Sequence, residues 1–494
     1  MTQDPLSSII ATEEQMLEGG WELIVGLEVH VELATKTKLF SGSPNHFGDE
    51  PNTNIDPVTL GLPGALPVLN KQAVELAMRI GVALNCSIQP CIFHRKNYFY
   101  PDMPKAYQIS QYDIPLNIDG FLVLPSGTRI GVERAHLEED TGKSTHVGGA
   151  TGRIHGSDYS LIDFNRAGVP LVEIVSRPDI RTSEHAKEYV AELRAILEVI
   201  GASDAKMEEG SMRVDANVSV HKPGTLFGTR CEIKNLNSMR NIARAIIFEA
   251  ERQVKMIENG IAVEQETRLF DADSGETSTM RSKEDAMDYR YFPDPDLPPL
   301  VISQSLVDEI KKTLPELPNA RKSRYITQFG LNNDDANLIV ASEASINYFE
   351  ALILKHEPKA SVTWLTVELF GRLNKNNIDL ENSPVKPEKL ILLIDLIKNG
   401  EISSKIAKDI LDEMMLSNED PQEIVNKKGL KQVSNSGEIE KIIDKILNDN
   451  PNFVAEYKAG KEKLFGFFIG KIMKEAKGKA NPSIVNEILI NKLK

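Results

Sequence analysis

An alternating segment near the start of the chain places three chemically capable side chains on one face of a predicted strand. Within residues 21–33 the odd positions from 23 onward are apolar, whereas Glu28, His30 and Glu32 occupy even positions. Because strand side chains alternate between faces, neighbours on one face lie about 7 Å apart. Two carboxylates beside an imidazole suit hard-cation binding or general-base chemistry. The alternative is a solvent-facing strand that carries polar residues.

Two later segments repeat the alternation of charged and apolar residues. The charged positions are Arg213 and Asp215 within 211–220, Arg230, Glu232 and Lys234 within 230–235, and Lys206 ahead of the first segment. A sheet face that gathers carboxylates around a divalent metal, beside Arg and Lys for phosphates, is what phosphoryl transfer from ATP requires. Surface ion pairs are the alternative, although such pairs contribute little to stability.

An acidic run at residues 138–140 precedes Thr141-Gly-Lys-Ser144, which looks like the end of a phosphate-binding P-loop. That motif needs Gly five positions before Gly142, and position 137 is Leu. The preceding acidic loop would also repel phosphates, so this segment is not a P-loop. A separate aromatic stretch, residues 97–108, interleaves Tyr and Phe with nearby cations. It predicts either a surface that stacks a nucleotide or RNA end, or core aromatics in a proline-locked loop.

Composition limits the class of protein. The chain has 494 residues, a net charge of −15 and a mean hydropathy of −0.26, and it holds no apolar run that approaches the roughly 20 residues of a membrane span. Residues 425–494 differ, because 14 lysines against 8 acidic residues give them a net charge of +6. The three cysteines include no CxxC pair, which predicts a reducing compartment, the cytoplasm, and argues against a zinc site.

The elements that must position these residues predict an α+β protein. Short alternating segments punctuated by Gly and Pro predict a β-rich domain over 21–299, interrupted by helices at 71–84, 183–200 and 239–258. Four prolines within 291–299 predict a domain border. Helical periodicity follows, with a helical domain over 300–424 and a basic helical tail over 425–494. The lysines of the tail predict either a solvated face or a contact with RNA phosphates. Residues 1–20 are predicted to be a flexible extension.

At this point the sequence resembles a known family, the B subunits of the aspartyl/glutamyl-tRNA amidotransferases. The resemblance covers nearly all of residues 21–494. Its motifs are IVGLEVHVEL (24–33), RKNYFYPD (95–102), KAYQISQ (105–111), HLEED (136–140), DFNRAGVPLVE (163–173), KMEEGS (206–211), KNLNS (234–238), DYRYFP (288–293) and GKANP (478–482). The Cys-based zinc site of some members has no counterpart in this sequence.

The resemblance implies a cradle-shaped β-rich domain related to glutamine synthetase, then an all-helical domain and a small helical tail. It implies ATP- and Mg²⁺-dependent phosphorylation of the side-chain carboxylate of Glu or Asp misacylated on tRNA, followed by attack of ammonia. The implied partners are a glutaminase A subunit and a small C subunit, together with misacylated tRNA, which the resemblance implies is bound by the helical domain and the tail at 425–494. By position, the resemblance implies the metal ligands Glu28, His30, Glu139, Glu173 and Asp215. It implies as catalytic residues Glu28, His30, Glu139, Glu173 and Lys234. The residues expected to bind the nucleotide are Arg213, Arg230 and Lys206.

Two other classes of protein stay open. One is an RNA-binding adapter without catalysis, in which the acidic strands are only surface. The other is a ligase related to glutamine synthetase that acts on a free amino acid and has no need of tRNA. The Glu28–His30 face argues against the adapter, and the basic tail argues against the free substrate.

Overall fold

A large, mostly antiparallel sheet dominates the first part of the chain. A computed structural model describes residues 12, 15–148, 157–282, 289–430, 436–476 and 482–493. The strands are β1 (Glu22–Glu32), β2 (Ser87–Ile88), β3 (His94–Asn97), β4 (Tyr107–Ser110), β5 (Asn117–Val123), β6 (Arg129–Glu139), β7 (Lys143–Val147), β8 (Tyr159–Asp163), β9 (Pro170–Ser176), β10 (Met212–His221), β11 (Cys231–Leu236), β12 (Glu266–Phe270), β13 (Thr277–Ser282) and β14 (Phe292–Pro293). Within the described ranges, the main sheet follows the order β13-β12-β11-β10-β1-β9-β6-β4-β3-β14, with β5 on β6 and β2 on β5, and β7 pairs with β8 separately.

Helices are few in this part and dominate the rest. They are α1 (Lys71–Ala83), α2 (Ser183–Val199), α3 (Met239–Glu258), α4 (Gln304–Thr313), α5 (Pro318–Phe329), α6 (Asn333–Val340), α7 (Glu343–Ile353), α8 (Pro358–Val362), a π-helix (Thr363–Leu369), α9 (Phe370–Lys375), a 3-10 helix (Leu380–Asn382), α10 (Pro387–Lys398), α11 (Ser404–Ser417), α12 (Pro421–Lys428), α13 (Ser436–Asn448), α14 (Pro451–Lys458), α15 (Leu464–Glu475) and α16 (Pro482–Leu493). The predicted α+β class, a sheet domain followed by helices, is confirmed.

The two faces of β1 differ as its alternation predicts. The odd positions from Leu23 to Val31 are buried and share one core with α1, α2 and α3. Glu28 and His30 lie on the opposite face and are only half-buried. The helices therefore cover one face of the sheet and leave the polar face of β1 to carry chemistry.

Short polar side chains set where the helices of this part begin. Ser238 caps α3 by accepting a hydrogen bond from the backbone N–H of Asn241. The sequence predicts Ser183 as the N-cap of α2, and this is wrong by one residue. Thr182 is the cap, because it keeps the extended backbone that a cap needs (φ −140°, ψ 155°) and its hydroxyl accepts from the N–H of His185.

The chain forms two compact units, the first ending at Arg321 and the second beginning at Lys322. The first extends past the proline-rich cluster because Val307 and Ile310 of α4 are buried in the core of the sheet unit. The second holds two apolar cores, one between Tyr325 and Val425 and another formed by residues 439–493. The border between compact units is defined by packing, whereas the borders predicted at 299 and 424 come from prolines and sequence patterns. The two criteria do not test each other, so the predicted borders stay predictions.

Some predictions fall outside the described residues. They concern most of the extension at 1–20, Asp288, residues 431–435 of the predicted basic tail, and residues 478–481 of the GKANP motif. Among the helices that the structure describes, none is long and apolar enough to cross a membrane.

Candidate active site

Three neighbouring strands align charged side chains on the polar face of the sheet. His30 in β1 lies opposite Glu173 in β9, and Glu173 lies opposite His136 in β6. Glu138 follows His136 by two residues and therefore shares its face. We call His30, His136, Glu138 and Glu173 the acid–imidazole cluster.

The atoms of this cluster crowd together without forming a short ion pair. His30 Nε2 lies 3.7 Å from Glu173 Oε2 and 3.8 Å from Glu138 Oε1, and His136 Nε2 lies 3.5 Å from Glu173 Oε2. One donor atom from each of His30, Glu138 and Glu173 falls within a 4.8 Å span. The cluster borders a cavity of about 380 Å³. Such a set of oxygen and imidazole donors fits a divalent cation.

The pKa shifts of the cluster residues indicate a site that attracts positive charge. Burial opposes charging of His30, but the carboxylates of Glu173 and Glu138 raise its pKa to about 9. Burial and the nearby Glu173 raise the pKa of Glu138. Burial also opposes ionisation of Glu173, yet His136, His30 and Arg134 hold its pKa well below its usual range. The site therefore carries a strong negative potential that a proton on His30 relieves, and a divalent cation would relieve it better.

The second histidine behaves differently. Burial lowers the pKa of His136 to about 4, so its ring is neutral at pH 7. Its Nδ1 is buried and, among the described residues, has no hydrogen-bond partner. At neutral pH the imidazole of His136 therefore adds no positive charge to offset the carboxylates of the cluster.

Three cations line the same cavity. Lys234 Nζ donates to Asp215 at 2.6 Å and to Glu232 at 2.7 Å, and the two carboxylates raise the pKa of this lysine although burial opposes its charge. Arg134 lies 3.6 Å from Glu173. The third is Lys96, whose ammonium lies over the ring of Tyr289 at 4.8 Å. Cations at this rim can bind the oxygens of a phosphoryl group.

Five residues that the sequence predicts for the site lie around this cavity. They are Glu28, His30, Glu173, Asp215 and Lys234. Glu28 is held by Asn217, whose side-chain amide donates to it at 2.9 Å, and burial and Glu173 raise its pKa. The contact of Asp215 with Lys234 leaves it less available than the cluster carboxylates to bind a metal.

The other predicted residues do not line this cavity. Glu139 points to the opposite side of β6 from Glu138 and accepts from Lys105 Nζ at 2.5 and 2.6 Å. Arg213 donates to Asp140 at 2.6 Å. Lys206 pairs with the nearby Glu209, and Arg230 is exposed just before β11.

The predicted site residues do not include Glu138, His136, Lys96 or Arg134. A signal for the first two is present, because HLEED places residues 136 and 138 on one strand face and residue 139 on the other. Lys96 carries a weaker signal, because it is one of the cations beside the aromatic stretch at 97–108. Its place in the site depends on the pairing of β3 with β4 and of β4 with β6, which no local pattern encodes.

The fold and the site together define a class: an α+β protein whose antiparallel sheet presents a carboxylate–imidazole centre ringed by cations. Comparison with known families agrees. Residues 23–308 match the GatB/GatE catalytic domain, and residues 347–493 match the GatB domain.

Relatives share nearly the whole length of the chain. The B subunit of the aspartyl/glutamyl-tRNA(Asn/Gln) amidotransferase of Persephonella marina is 49% identical over 481 residues, covering 96% of this chain and all of the relative. The protein of the same name from Rickettsia felis is 49% identical, over 96% of this chain and 98% of the relative. The one from Carboxydothermus hydrogenoformans is 48% identical, over 96% of this chain and 99% of the relative. The chain belongs to the family of these B subunits.

Proposed function

We propose that the chain is the activating subunit of a tRNA-dependent amidotransferase, a ligase that forms a carbon–nitrogen bond. In this reaction ATP phosphorylates the side-chain carboxylate of Glu on tRNA(Gln), of Asp on tRNA(Asn), or of both, and ammonia then displaces the phosphate. Family membership supports the tRNA-dependent amidation. The acid–imidazole cluster, open to a cavity ringed by cations, is the single observation that carries the activation step.

The residues of the cavity suit this chemistry. A carboxylate resists displacement by an amine because its oxygen is a poor leaving group, and phosphorylation removes that obstacle. Negative charge then builds on the transferred group, and fixed cations in a partly dry cavity stabilise it. Lys96, Arg134 and Lys234 supply those cations in this proposal.

The donor set fits Mg²⁺, which when bound neutralises the charge of the phosphates. Glu138, Glu173 and deprotonated His30 would hold the ion, with Glu28 and Asp215 as further predicted ligands. In this proposal Glu138 binds the metal in place of Glu139, the ligand predicted from the sequence. Because His30 is protonated at neutral pH in the absence of a cation, ion binding must release a proton from this side chain.

Ammonia must come from another protein. The relatives are named as B subunits, which supports a multi-subunit enzyme. We propose a glutaminase A subunit and a small C subunit as partners, misacylated tRNA as the substrate bound by the basic residues of 425–494, and the cytoplasm as the location.

Mg²⁺-dependent release of ADP from ATP tests this function. The chain is co-purified with its glutaminase partner and assayed with Glu-tRNA(Gln) and with free glutamate. A His30→Ala variant tests the site, and Glu251→Gln, an exposed carboxylate on α3, is the matched control. We expect release that needs the charged tRNA, is lost in His30→Ala and is kept in Glu251→Gln.

Two outcomes would replace the proposal. Equal release with free glutamate would identify a small-molecule ligase instead. No release under any condition would remove the activation chemistry and leave an RNA-binding adapter as the better interpretation.

A further inference from the structure

One wall of the site cavity is aromatic. Tyr112, just after β4, stacks on Tyr291, just before β14, with ring centroids 4.2 Å apart and an interplanar angle of 10°. Tyr289 meets Tyr291 edge-on at 6.1 Å. All three residues border the cavity that holds the acid–imidazole cluster, and we call them the tyrosine wall.

The tyrosine wall is not packed as a core element. Tyr112 is 59% exposed although Tyr291 covers one of its faces and His94 meets its ring edge-on at 6.3 Å, so much of the ring is open to solvent. Among the described residues, none of the three hydroxyls has a hydrogen-bond partner. The buried Tyr348, by contrast, donates its hydroxyl to the carbonyl of Val385. Because Tyr112 is exposed and Tyr289 and Tyr291 are only half-buried, the wall presents ring faces to the cavity and does not fill a core.

A cation accompanies the rings. The ammonium of Lys96 lies over the ring of Tyr289 and, within the described part of the chain, forms no ion pair within 4 Å. Every other lysine or arginine that borders this cavity has a carboxylate partner. An open aromatic face next to an unpaired cation is the arrangement that binds a base together with its negatively charged backbone.

We propose that the outer face of Tyr112, supported by Tyr291, stacks an adenine base while Lys96 faces the phosphates that accompany it. The inference rests on the proposed function, because both substrates of that reaction carry adenine. One is ATP, and the other is the acceptor end of tRNA, whose terminal adenosine bears the amino acid. Either adenine would be held at the rim of the cavity in which the carboxylate is activated.

Two fluorescent probes separate these sources. In the first arm, 2-aminopurine replaces the terminal adenine of tRNA(Gln); in the second, 2-aminopurine riboside triphosphate replaces ATP. Each is titrated into the intact complex, and stacking quenches the probe. We expect quenching in one arm, and the arm that responds identifies the source of the base.

Variants test whether the tyrosine wall causes the quenching. Tyr112→Leu should remove most of it and weaken probe binding about tenfold, within the range measured for base stacking on aromatic residues. Tyr112→Phe keeps the ring and should restore both. Tyr159→Leu, an equally exposed tyrosine on the separate β7–β8 sheet, is the matched control. Tyr291→Leu, which removes the support, should weaken binding less than Tyr112→Leu.

The result that would overturn the proposal is clear. Quenching in neither arm, or equal quenching by wild type and Tyr112→Leu, removes the stacking role. The ADP-release assay is independent of these titrations. If tRNA-dependent ADP release occurs without quenching, the stacking role of the tyrosine wall is wrong and the proposed function stands. If quenching occurs but ADP is never released, the proposed function fails while a base-binding surface remains.

Discussion

Two polar clusters of the sheet unit are built on opposite principles. On α3, Glu249 is completely buried and fully paired: Arg252 Nη2 lies 2.6 Å from one carboxylate oxygen, and Arg268 Nε lies 3.2 Å from the other. Gln253 and Thr277 donate further hydrogen bonds to the same carboxylate. In the acid–imidazole cluster, by contrast, no imidazole comes closer than 3.5 Å to a carboxylate.

The difference appears in how the two clusters titrate. Burial opposes ionisation of Glu249, but Arg252, Gln253 and Arg268 lower its pKa. In the acid–imidazole cluster, burial and Glu173 raise the pKa of Glu138. The charges of the first cluster are balanced within the chain, and the cluster joins α3 to β12 and β13. The acid–imidazole cluster keeps an excess of negative charge, which a bound cation balances in the proposed function. Closely paired charges support the fold, whereas loosely paired buried charges with shifted pKa values are typical of functional sites.

The largest effect is expected for amidation when the acid–imidazole cluster loses its central carboxylate. Glu173→Gln should lower amidation of Glu-tRNA(Gln) at least 10³-fold, about 4 kcal/mol of transition-state stabilisation, because Glu173 contacts His30, His136 and Arg134. Initial rates of Gln-tRNA formation measure this effect. An unfolding midpoint equal to that of wild type shows that the fold is intact. A loss below tenfold would mean that the cluster is a surface feature.

On α3, substitution of the buried carboxylate is expected to lower the stability of the fold. Glu249→Gln should lower the free energy of unfolding by about 3 kcal/mol, because Glu266 is then the only carboxylate among the described residues that compensates Arg252 and Arg268 in this largely buried cluster. The matched variant Glu251→Gln, exposed on the same helix, should change it by less than about 0.5 kcal/mol. Urea denaturation of the full chain measures both variants.

The pH dependence of Glu249→Gln sharpens this test. Because the folded-state pKa of Glu249 is lowered, its contribution is present in full above the ordinary carboxyl pKa and is lost as pH falls through the folded-state value. The difference between wild type and Glu249→Gln should therefore shrink in acid. A difference that is constant with pH would assign the effect to packing instead of charge.

Local sequence patterns predict the individual strands and helices of the sheet unit well. The alternation around Glu28 and His30 identifies β1 and its polar face, and helices α1 to α3 lie within one residue of their predicted bounds. These features depend on the periodicity of single segments, which the sequence contains directly. The same is true of β10, where alternation separates buried Met212 from the charged Arg213.

Patterns between segments are harder to predict. The resemblance points to Glu139, whereas the structure brings Glu138 to the cluster, and the two differ by one step of strand alternation. The aromatic stretch at 97–108 leaves stacking and core packing open as alternatives. The stacked rings at the cavity come instead from Tyr112, Tyr289 and Tyr291, which lie in two segments far apart in sequence. Register between distant strands and the meeting of loops depend on tertiary packing, which no window of residues encodes.

Adjacent carboxylates on β6 offer the next test of the comparison. Mn²⁺, a spectroscopically visible substitute for Mg²⁺, should bind Glu138→Gln at least tenfold more weakly than wild type. Glu139→Gln should bind it within twofold, because the oxygens of Glu139 contact Lys105 and face away from the cluster. Isothermal titration or electron paramagnetic resonance measures both affinities. The reverse order would restore the ligand set that the family resemblance implied.

The smallest expected effect is a gain in the free energy of unfolding of Glu138→Gln, the variant that we expect to bind the metal ion weakly. Because the folded-state pKa of Glu138 is raised, ionisation of this group opposes folding, and the penalty is absent in acid and complete above the folded-state pKa. In EDTA at pH 8, Glu138→Gln should therefore be as stable as wild type or up to about 1 kcal/mol more stable, and the gain should vanish near pH 4. Urea denaturation at both pH values measures it. A loss of stability at pH 8 like that of Glu249→Gln would show that Glu138 is paired after all, and the distinction between the two clusters would fail.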